Sequence, residues 1–472
     1  MTKAVLDHGF EAARPAGRLY NTGDGPFLQP VDIGHDDYVA VLEPDTAFWA
    51  LIKRDKLAQA LTGGDFLAAY LAKAEDFARE MQGLRFGLTP SAVYFNPTQR
   101  CNLNCPYCYL PGEERLHGRH MSAAELTQAM SKLSEYFQAH MPADRLPQII
   151  FHGAEPLLNR EAVFQAIEDF GDRFRFGIQT NATLLDRPAV EFLTAKGVSL
   201  GISLDGHTAQ VSDRTRRTWN GSGASQTVMA ALEMLEGYPG LNVICTVTSE
   251  NLPWLADTVA FFHSRSVPAC LMNVVRCGTP GAKAVKPDDG LAWAHFQAAL
   301  EKSRELYLST GRKLIVANFA NIILAITAPT ARRLMCDISP CGAGRCFFAV
   351  AANGDMFPCG EFIGLPEYRG GNLFADDIEG VLASPPFAQV KGRVVEDIKG
   401  CRQCAIRHFC GSPCPAEAVG SPQGLAERGA FCRFYEEQVR FALRLLADGQ
   451  ADDFLWEGWD KDVDTVFDLK SL

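Results

Sequence analysis

Ala92-Val93-Tyr94-Phe95-Asn96-Pro97-Thr98-Gln99-Arg100-Cys101-Asn102-Leu103-Asn104-Cys105-Pro106-Tyr107-Cys108 is the stretch on which the fold of this chain turns. Its first four residues form a strand-like apolar run. The run leads into a loop with three cysteines at Cys-x3-Cys-x2-Cys spacing. Thiolates this close hold three corners of a cubane iron–sulfur cluster and leave the fourth iron without a protein ligand. Zinc is the alternative, but structural zinc takes four ligands, usually as two spaced pairs. No further cysteine follows within forty residues of the loop.

Downstream, strands and helices alternate. Residues 149–151, 176–179, 198–204, 243–247 and 270–275 read as further strands. Ser122-Ala123-Ala124-Glu125 is a capping box, and Leu126, Met130, Leu133 and Phe137 continue one helical face. A second helix is expected from about Arg160, and a third from Asp186 as cap with Pro188 in its first turn. Residues 225–235 and 255–263 read as two more. Six strand–helix units imply parallel strands with right-handed crossovers, short of a closed eight-stranded barrel. The expected fold is therefore α/β: an open, partial (β/α)6 TIM-type barrel with the cysteine loop at its C-terminal mouth, where parallel-strand active sites lie.

Around a barrel at 91–310, residues 1–90 read as a small α+β region, with short strands and turns over 27–41 and helix over 46–81. Residues 311–345 bridge to a cysteine-rich domain at 346–432, and 433–472 read as a helical extension. The whole chain has 472 residues, 45 basic and 56 acidic, for a net charge of −11. That balance argues against nucleic acid, whose binding needs basic surface. Residues 1–12 show no signal peptide and no apolar run is long enough to span a bilayer, so no membrane is expected and a cytoplasmic setting is. Fifteen cysteines without an export signal then point to metal chemistry rather than disulfides. Cys245, Cys270 and Cys277, in apolar runs, read instead as core thiols.

The cysteine spacing, with Tyr107 before the last cysteine, resembles the radical SAM superfamily. The resemblance implies that the open iron chelates S-adenosylmethionine and that reductive cleavage gives a 5′-deoxyadenosyl radical. Further motifs agree. His152-Gly153-Ala154-Glu155-Pro156 resembles the family's Gly-Gly-Glu-Pro segment, with Ala154 in place of the second glycine; Gly153, Ala154 and Glu155 are then expected at the cofactor's amino group. Ser203-Leu204-Asp205-Gly206 resembles the segment near the cofactor ribose and carboxylate, which brings in Ser203 and Asp205. Arg216 aligns best with the family's carboxylate-binding arginine, Arg214 and Arg217 being the alternatives in the same run. Gln179 and Asn181 are placed at the mouth by position alone.

A second cysteine field follows. Cys346 and Cys359 are separated by twelve residues, with Gly354 giving Gly-x4-Cys. Cys401-x2-Cys404-x5-Cys410-x3-Cys414 and Cys432 come after, and Gly371-Asn372-Leu373 lies between the halves. This resembles the seven-cysteine SPASM signature of radical SAM enzymes that modify peptides and proteins. The resemblance implies two auxiliary 4Fe–4S clusters beside the SAM-binding one: Cys341, Cys346, Cys359 and Cys414 on the first, and Cys401, Cys404, Cys410 and Cys432 on the second. Cys341, five residues before Cys346, is the better candidate for the eighth ligand and Cys336 the spare. A zinc ribbon is the competing reading of the field.

The expected function is that of a radical SAM/SPASM maturase of a ribosomally made precursor peptide or protein, forming a thioether or other side-chain cross-link and fed electrons by a flavodoxin or ferredoxin. The N-terminal region is a candidate to bind a leader segment by strand addition. The alternative within the superfamily is formylglycine formation, as in anaerobic sulfatase-maturing enzymes. That family has an aspartate after the second signature cysteine; here Cys359 precedes Gly360-Glu361, a departure that argues against that activity and leaves the catalytic residue unassigned, with Glu361 as a substitute candidate. From another class, a non-catalytic iron–sulfur carrier or metal-binding scaffold leaves the cofactor motifs unexplained.

Overall fold

The computed structural model describes residues 28–410 and 414–459, together with the backbone of Ala4–Gly9. Phe27 and residues 460–472 of the expected C-terminal extension lie outside the described residues. The chain divides into two compact units. One combines 1–88, 318–342 and 393–472; the other combines 89–317 and 343–392.

The first unit carries a four-stranded sheet of β1 (Ala4–Gly9), β2 (Gln29–Val31), β3 (Tyr38–Glu43) and β4 (Phe48–Lys53), in the order β1-β4-β3-β2. Residues 46–81 are thus not helical throughout, as the sequence suggested. Phe48–Lys53 pairs antiparallel with β3, Val41 opposite Ala50 and Val39 opposite Ile52. A short apolar run fits a buried strand and a buried helical turn equally well by periodicity; here Ala47, at a φ of 54°, turns the chain back and decides the matter. Three helices follow, Leu57–Thr62, Asp65–Leu71 and Ala74–Phe86. Val39, Val41, Phe48, Ile52, Phe66 and Tyr70 form their shared core. The same unit ends in the amphipathic helix Cys432–Ala447.

The second unit is an open ten-stranded sheet. The six expected strands are present as β5 (Ala92–Phe95), β6 (Gln148–Phe151), β7 (Arg175–Thr180), β8 (Ser199–Ser203), β9 (Leu241–Val247) and β10 (Ala269–Val274). Each pairs in parallel with its predecessor, the order of a singly wound barrel. The sheet has two free ends and does not close, so the partial barrel stands. Two additions were not foreseen. β11 (Ile315–Val316) joins β10, and β12 (Phe347–Val350) lies parallel to β5 on the other side, before β13 (Asp355–Phe357) and β14 (Gly371–Asn372) turn antiparallel.

The crossover helices sit where the caps placed them. Ser122 and Glu125 form the capping box of Ala123–His140, and Asp186 accepts from Ala189 N at 3.0 Å to start Arg187–Ala195. Leu126, Met130, Leu133 and Phe137 are buried against the sheet side of their helix. Cys245, Cys270 and Cys277 are buried core thiols. Among the described residues no helix is long and apolar enough to cross a membrane.

Candidate active site at the mouth of the parallel sheet

Register aligns Phe95, Phe151 and Ile178 at the ends of β5, β6 and β7. The loops that follow therefore leave the sheet at one end, and so does the loop after Ser203 of β8, which pairs with Ile244. The cysteine loop is clamped there by groups from several of them. Cys101 N donates to Arg115 O at 2.9 Å and Asn104 N to Arg217 O at 2.7 Å. The buried Arg115 guanidinium donates to Leu110 O, Leu103 O and Asn104 Oδ1, and lies 5.0 Å from the Trp219 ring. Trp219 Nε1 in turn donates to Cys101 O at 2.8 Å. Asn181, placed at the mouth by position alone, reaches the loop: its Nδ2 donates to Asn102 Oδ1 at 2.8 Å and lies 3.7 Å from Cys101 Sγ. Arg115 and Trp219 carried no sequence signal, because main-chain carbonyls, which any residue supplies, are among the acceptors of both.

Cys101, Cys105 and Cys108 are mutual electrostatic neighbours. Burial pushes the Cys101 thiol up to about 12 and the Cys105 thiol to about 11, so a bound cluster must displace those protons. Each outer sulfur already has a polar partner two residues on: Cys101 Sγ accepts from Leu103 N at 3.4 Å, and Cys108 from Leu110 N. N–H donors aimed at sulfur favour the thiolate. No three His, Cys, Asp or Glu side chains among the described residues are placed to hold a single metal ion. Three thiols in one loop match the ligand number of a cubane with one open iron and fall one short of a structural zinc site.

Beside the loop, Asp205 is fully buried and organises four groups. It accepts from Tyr107 Oη at 2.5 Å, Thr215 Oγ1 at 2.9 Å and Thr246 N at 3.0 Å, and pairs with Arg216 Nε at 3.1 Å. Burial opposes the charge on Arg216, but Asp205 and its other anionic neighbours outweigh it and hold the guanidinium above its ordinary value. Of the three candidate arginines, Arg216 places its guanidinium as an electrostatic neighbour of Cys105, whereas Arg217 meets the cysteine loop through its main-chain carbonyl. Arg214 stacks over Trp254 at 4.6 Å, and Arg217 donates to Asp213 O.

Gly153 adopts φ 102°, where a Cβ would lie 2.1 Å from Asn96 Nδ2. Ala154 is not in the left-handed region, so its methyl is accommodated. Glu155 has no exposed surface. Its carboxylate accepts from Leu157 N at 3.0 Å, Thr180 Oγ1 at 2.7 Å and Asn181 N at 2.8 Å, so it ties its own segment after β6 to the end of β7. Burial nevertheless raises its pKa to about 7 against those donors. Gly153→Ala is expected to destabilise the protein by about 1–3 kcal/mol through backbone strain. Ala154→Gly is expected to have a smaller effect, and unfolding midpoints of the two variants compare them directly.

Ser203 is half-buried at the end of β8, and Gln179 is half-buried in β7 beside Gly201. Glu361 lies on the loop after β13, paired with Arg276 at 3.6 Å and electrostatically close to Cys108. A Cβ on Gly360 would stand 3.3 Å from His152 Nδ1 and 3.8 Å from Tyr109 Oη. The segment after Cys359 therefore meets the ends of β5 and β6. In the other unit, Cys404 has Cys401 and Cys432 as electrostatic neighbours and accepts from Ile406 N, the same two-residue geometry as Cys101 and Cys108. Burial lifts its thiol to about 11. Cys336 is exposed, whereas Cys341 is half-buried.

Comparison with known proteins agrees with this geometry. A family model described as the radical SAM superfamily matches residues 95–262, and one for the SPASM iron–sulfur cluster-binding domain matches 341–405. A protein of Archaeoglobus fulgidus, named only as uncharacterized, is 38% identical over 88% of this chain and 93% of its own. The cysteine-type anaerobic sulfatase-maturating enzyme of Clostridium perfringens is 22% identical over 76% of this chain and 98% of its own. Among solved structures, anSMEcpe with bound AdoMet superposes with a TM-score of 0.64 at 18% identity, over 79% of this chain and 97% of its own. Streptococcus suis SuiB bound to precursor peptide SuiA gives 0.55 at 14% identity, over 78% and 81%.

Proposed function

Because the chain belongs to the radical SAM superfamily and carries a SPASM iron–sulfur domain, we propose that this enzyme matures a ribosomally made precursor peptide or protein, forming a thioether or other side-chain cross-link. The observation that supports the reading most is the meeting of the three-thiol loop with Tyr107, Asp205 and Arg216 at the end of the parallel sheet. Bound at the open iron, S-adenosylmethionine supplies on reduction the radical that takes a substrate hydrogen. Arg216 is assigned to the cofactor carboxylate, and the backbone of Gly153 and Ala154 to its ammonium. Ser203 is assigned to the ribose edge. Asp205 and Glu155 act as positioning residues, one holding Arg216 and Tyr107, the other tying its own segment after β6 to the end of β7.

Cys101, Cys105 and Cys108 are assigned to the SAM-binding cluster. Cys341, Cys346, Cys359 and Cys414 are assigned to auxiliary cluster I, and Cys401, Cys404, Cys410 and Cys432 to auxiliary cluster II. Three cubanes require about twelve irons per chain. Cys341 is preferred to Cys336 because it shares Arg393 as an electrostatic neighbour with Cys401, Cys410 and Cys414. Cys341→Ala is accordingly expected to perturb one auxiliary signal in electron paramagnetic resonance, and Cys336→Ala to leave every signal and the iron content unchanged.

A peptide partner is favoured by SuiB, solved with precursor peptide SuiA, and by anSMEcpe, solved with AdoMet and the Cp18Cys peptide. Among the described residues β2 pairs with β3 alone, and it offers an edge for strand addition by a leader segment. A cytoplasmic setting and a flavodoxin or ferredoxin as reductant complete the reading. The experiment is co-expression with a small peptide encoded beside the gene, followed by mass spectrometry. Loss of a hydrogen pair per modification, with fragmentation blocked across a bridge, supports cross-linking. Conversion of a cysteine or serine to formylglycine would favour the second reading, which the sulfatase-maturating relatives and the placement of Glu361 near Cys108 keep in view.

A further inference from the structure

In the unit formed by residues 1–88, 318–342 and 393–472, three arginines with largely buried heads each pair with a carboxylate. Arg85 pairs with Glu396 at 2.9 Å, Arg332 with Asp337 at 3.0 Å, and Arg407 with Asp45. Arg393 differs. Its guanidinium donates to two main-chain carbonyls, Leu425 O and Glu427 O, the latter at 3.3 Å. Among the described residues it has no ion pair with a carboxylate, although burial presses against its charge. The groups that offset that burial are four cysteines: Cys341, Cys414, Cys401 and Cys410.

Those four belong in pairs to the two auxiliary ligand sets assigned above. A cation held away from water needs a counter-charge, and a cubane with four thiolates is a dianion when oxidised and a trianion when reduced. The carbonyls of Leu425 and Glu427 fix the guanidinium in orientation while adding no negative charge, so the cysteines remain its anionic neighbours. Val395 N, two residues on, donates to Ser339 Oγ at 2.6 Å, which ties the Arg393 segment to the strand of chain carrying Cys341.

We propose that Arg393 is the shared counter-cation of the two auxiliary clusters and raises the reduction potential of both. A fixed positive charge stabilises the reduced form of each cluster more than the oxidised form, because the reduced form carries one more negative charge. It also screens the repulsion between two reduced clusters, so that an electron arriving from a substrate radical finds both better acceptors. The inference rests on the three-cluster reading. Wild-type protein saturating near four irons, without auxiliary resonance signals, would sink that reading before Arg393 came into question.

The test is a potentiometric titration followed by electron paramagnetic resonance, on full-length protein with the SAM-binding cluster removed by Cys101→Ala, Cys105→Ala and Cys108→Ala. Arg393→Gln and Arg393→Met are expected to shift both auxiliary potentials downward at unchanged auxiliary iron content. Arg393→Lys, which keeps the charge, is expected to stay near the wild-type values. Unchanged potentials in the two neutral variants overturn the proposal, and so does a shift confined to one cluster. If the neutral variants fail to hold their clusters while Arg393→Lys holds them, the requirement is for charge and the proposal stands. If all three fail alike, Arg393 is a structural fastener and the proposal is overturned.

Discussion

Replacement of Cys101, Cys105 and Cys108 together with alanine is expected to reduce S-adenosylmethionine cleavage to background and to remove about four irons per chain, leaving about eight. The loss should be complete, because these thiols alone form the loop at the end of β5, and the other assigned cysteines follow residue 340. The loop is held by Arg115, Trp219 and Asn181 through main-chain and amide groups as well as through sulfur. The fold should therefore survive the triple substitution. Iron analysis and quantification of 5′-deoxyadenosine on one preparation read both halves of the prediction. Cleavage at the wild-type rate in the variant would remove the basis for placing the cofactor at this loop.

The second large effect is expected at Asp205. Its carboxylate is fully buried and faces the buried head of Arg216 at 3.1 Å. Asp205→Asn leaves that guanidinium charged and uncompensated, which should destabilise the unit by about 3–5 kcal/mol. Removing the charge as well, by Arg216→Met on the same chain, should recover much of the stability, since no unpaired ion is then buried. Binding of S-adenosylmethionine should remain lost in the double variant, because its carboxylate partner is gone. Thermal unfolding and equilibrium dialysis on the single and double variants separate the two roles. Equal stability of the single and double variants would show that Arg216 is not held by Asp205, and wild-type affinity in the double variant would remove Arg216 from the cofactor.

The sequence carried the barrel because its signals were local. Apolar strand runs, the Ser122–Glu125 box and the Asp186 cap each decide a few residues from their own neighbours, and each reappears in the structure. It failed where the deciding contact was distant. Phe48–Lys53 reads as part of a helical stretch until β3 is laid beside it. β12 becomes a parallel neighbour of β5 only across an intervening stretch of chain roughly the size of a whole barrel domain. The site divides in the same way. The cysteines and Gly153 are legible because spacing and backbone need leave a mark in sequence. The enclosure of Asp205 and Glu155 by hydrogen-bond donors is not, since Thr215, Thr246, Thr180 and Asn181 are ordinary residues until the strands align them.

Among the arginines of residues 214–217, burial did what alignment alone left open. Arg216 points to Asp205 and its neighbours on either side point away, a distinction of side-chain direction that spacing does not encode. Tyr107 shows the converse. Its place before Cys108 marked it in the sequence, yet its hydroxyl bond to Asp205 shows why an aromatic with a polar tip suits the position.

The most direct measurement is made on the wild-type chain after anaerobic reconstitution. Reduced with dithionite and given S-adenosylmethionine, it is predicted to release 5′-deoxyadenosine and methionine in equal amounts, without any peptide present. Fully loaded protein that returns the cofactor intact under those conditions would contradict the assignment of this site to radical chemistry.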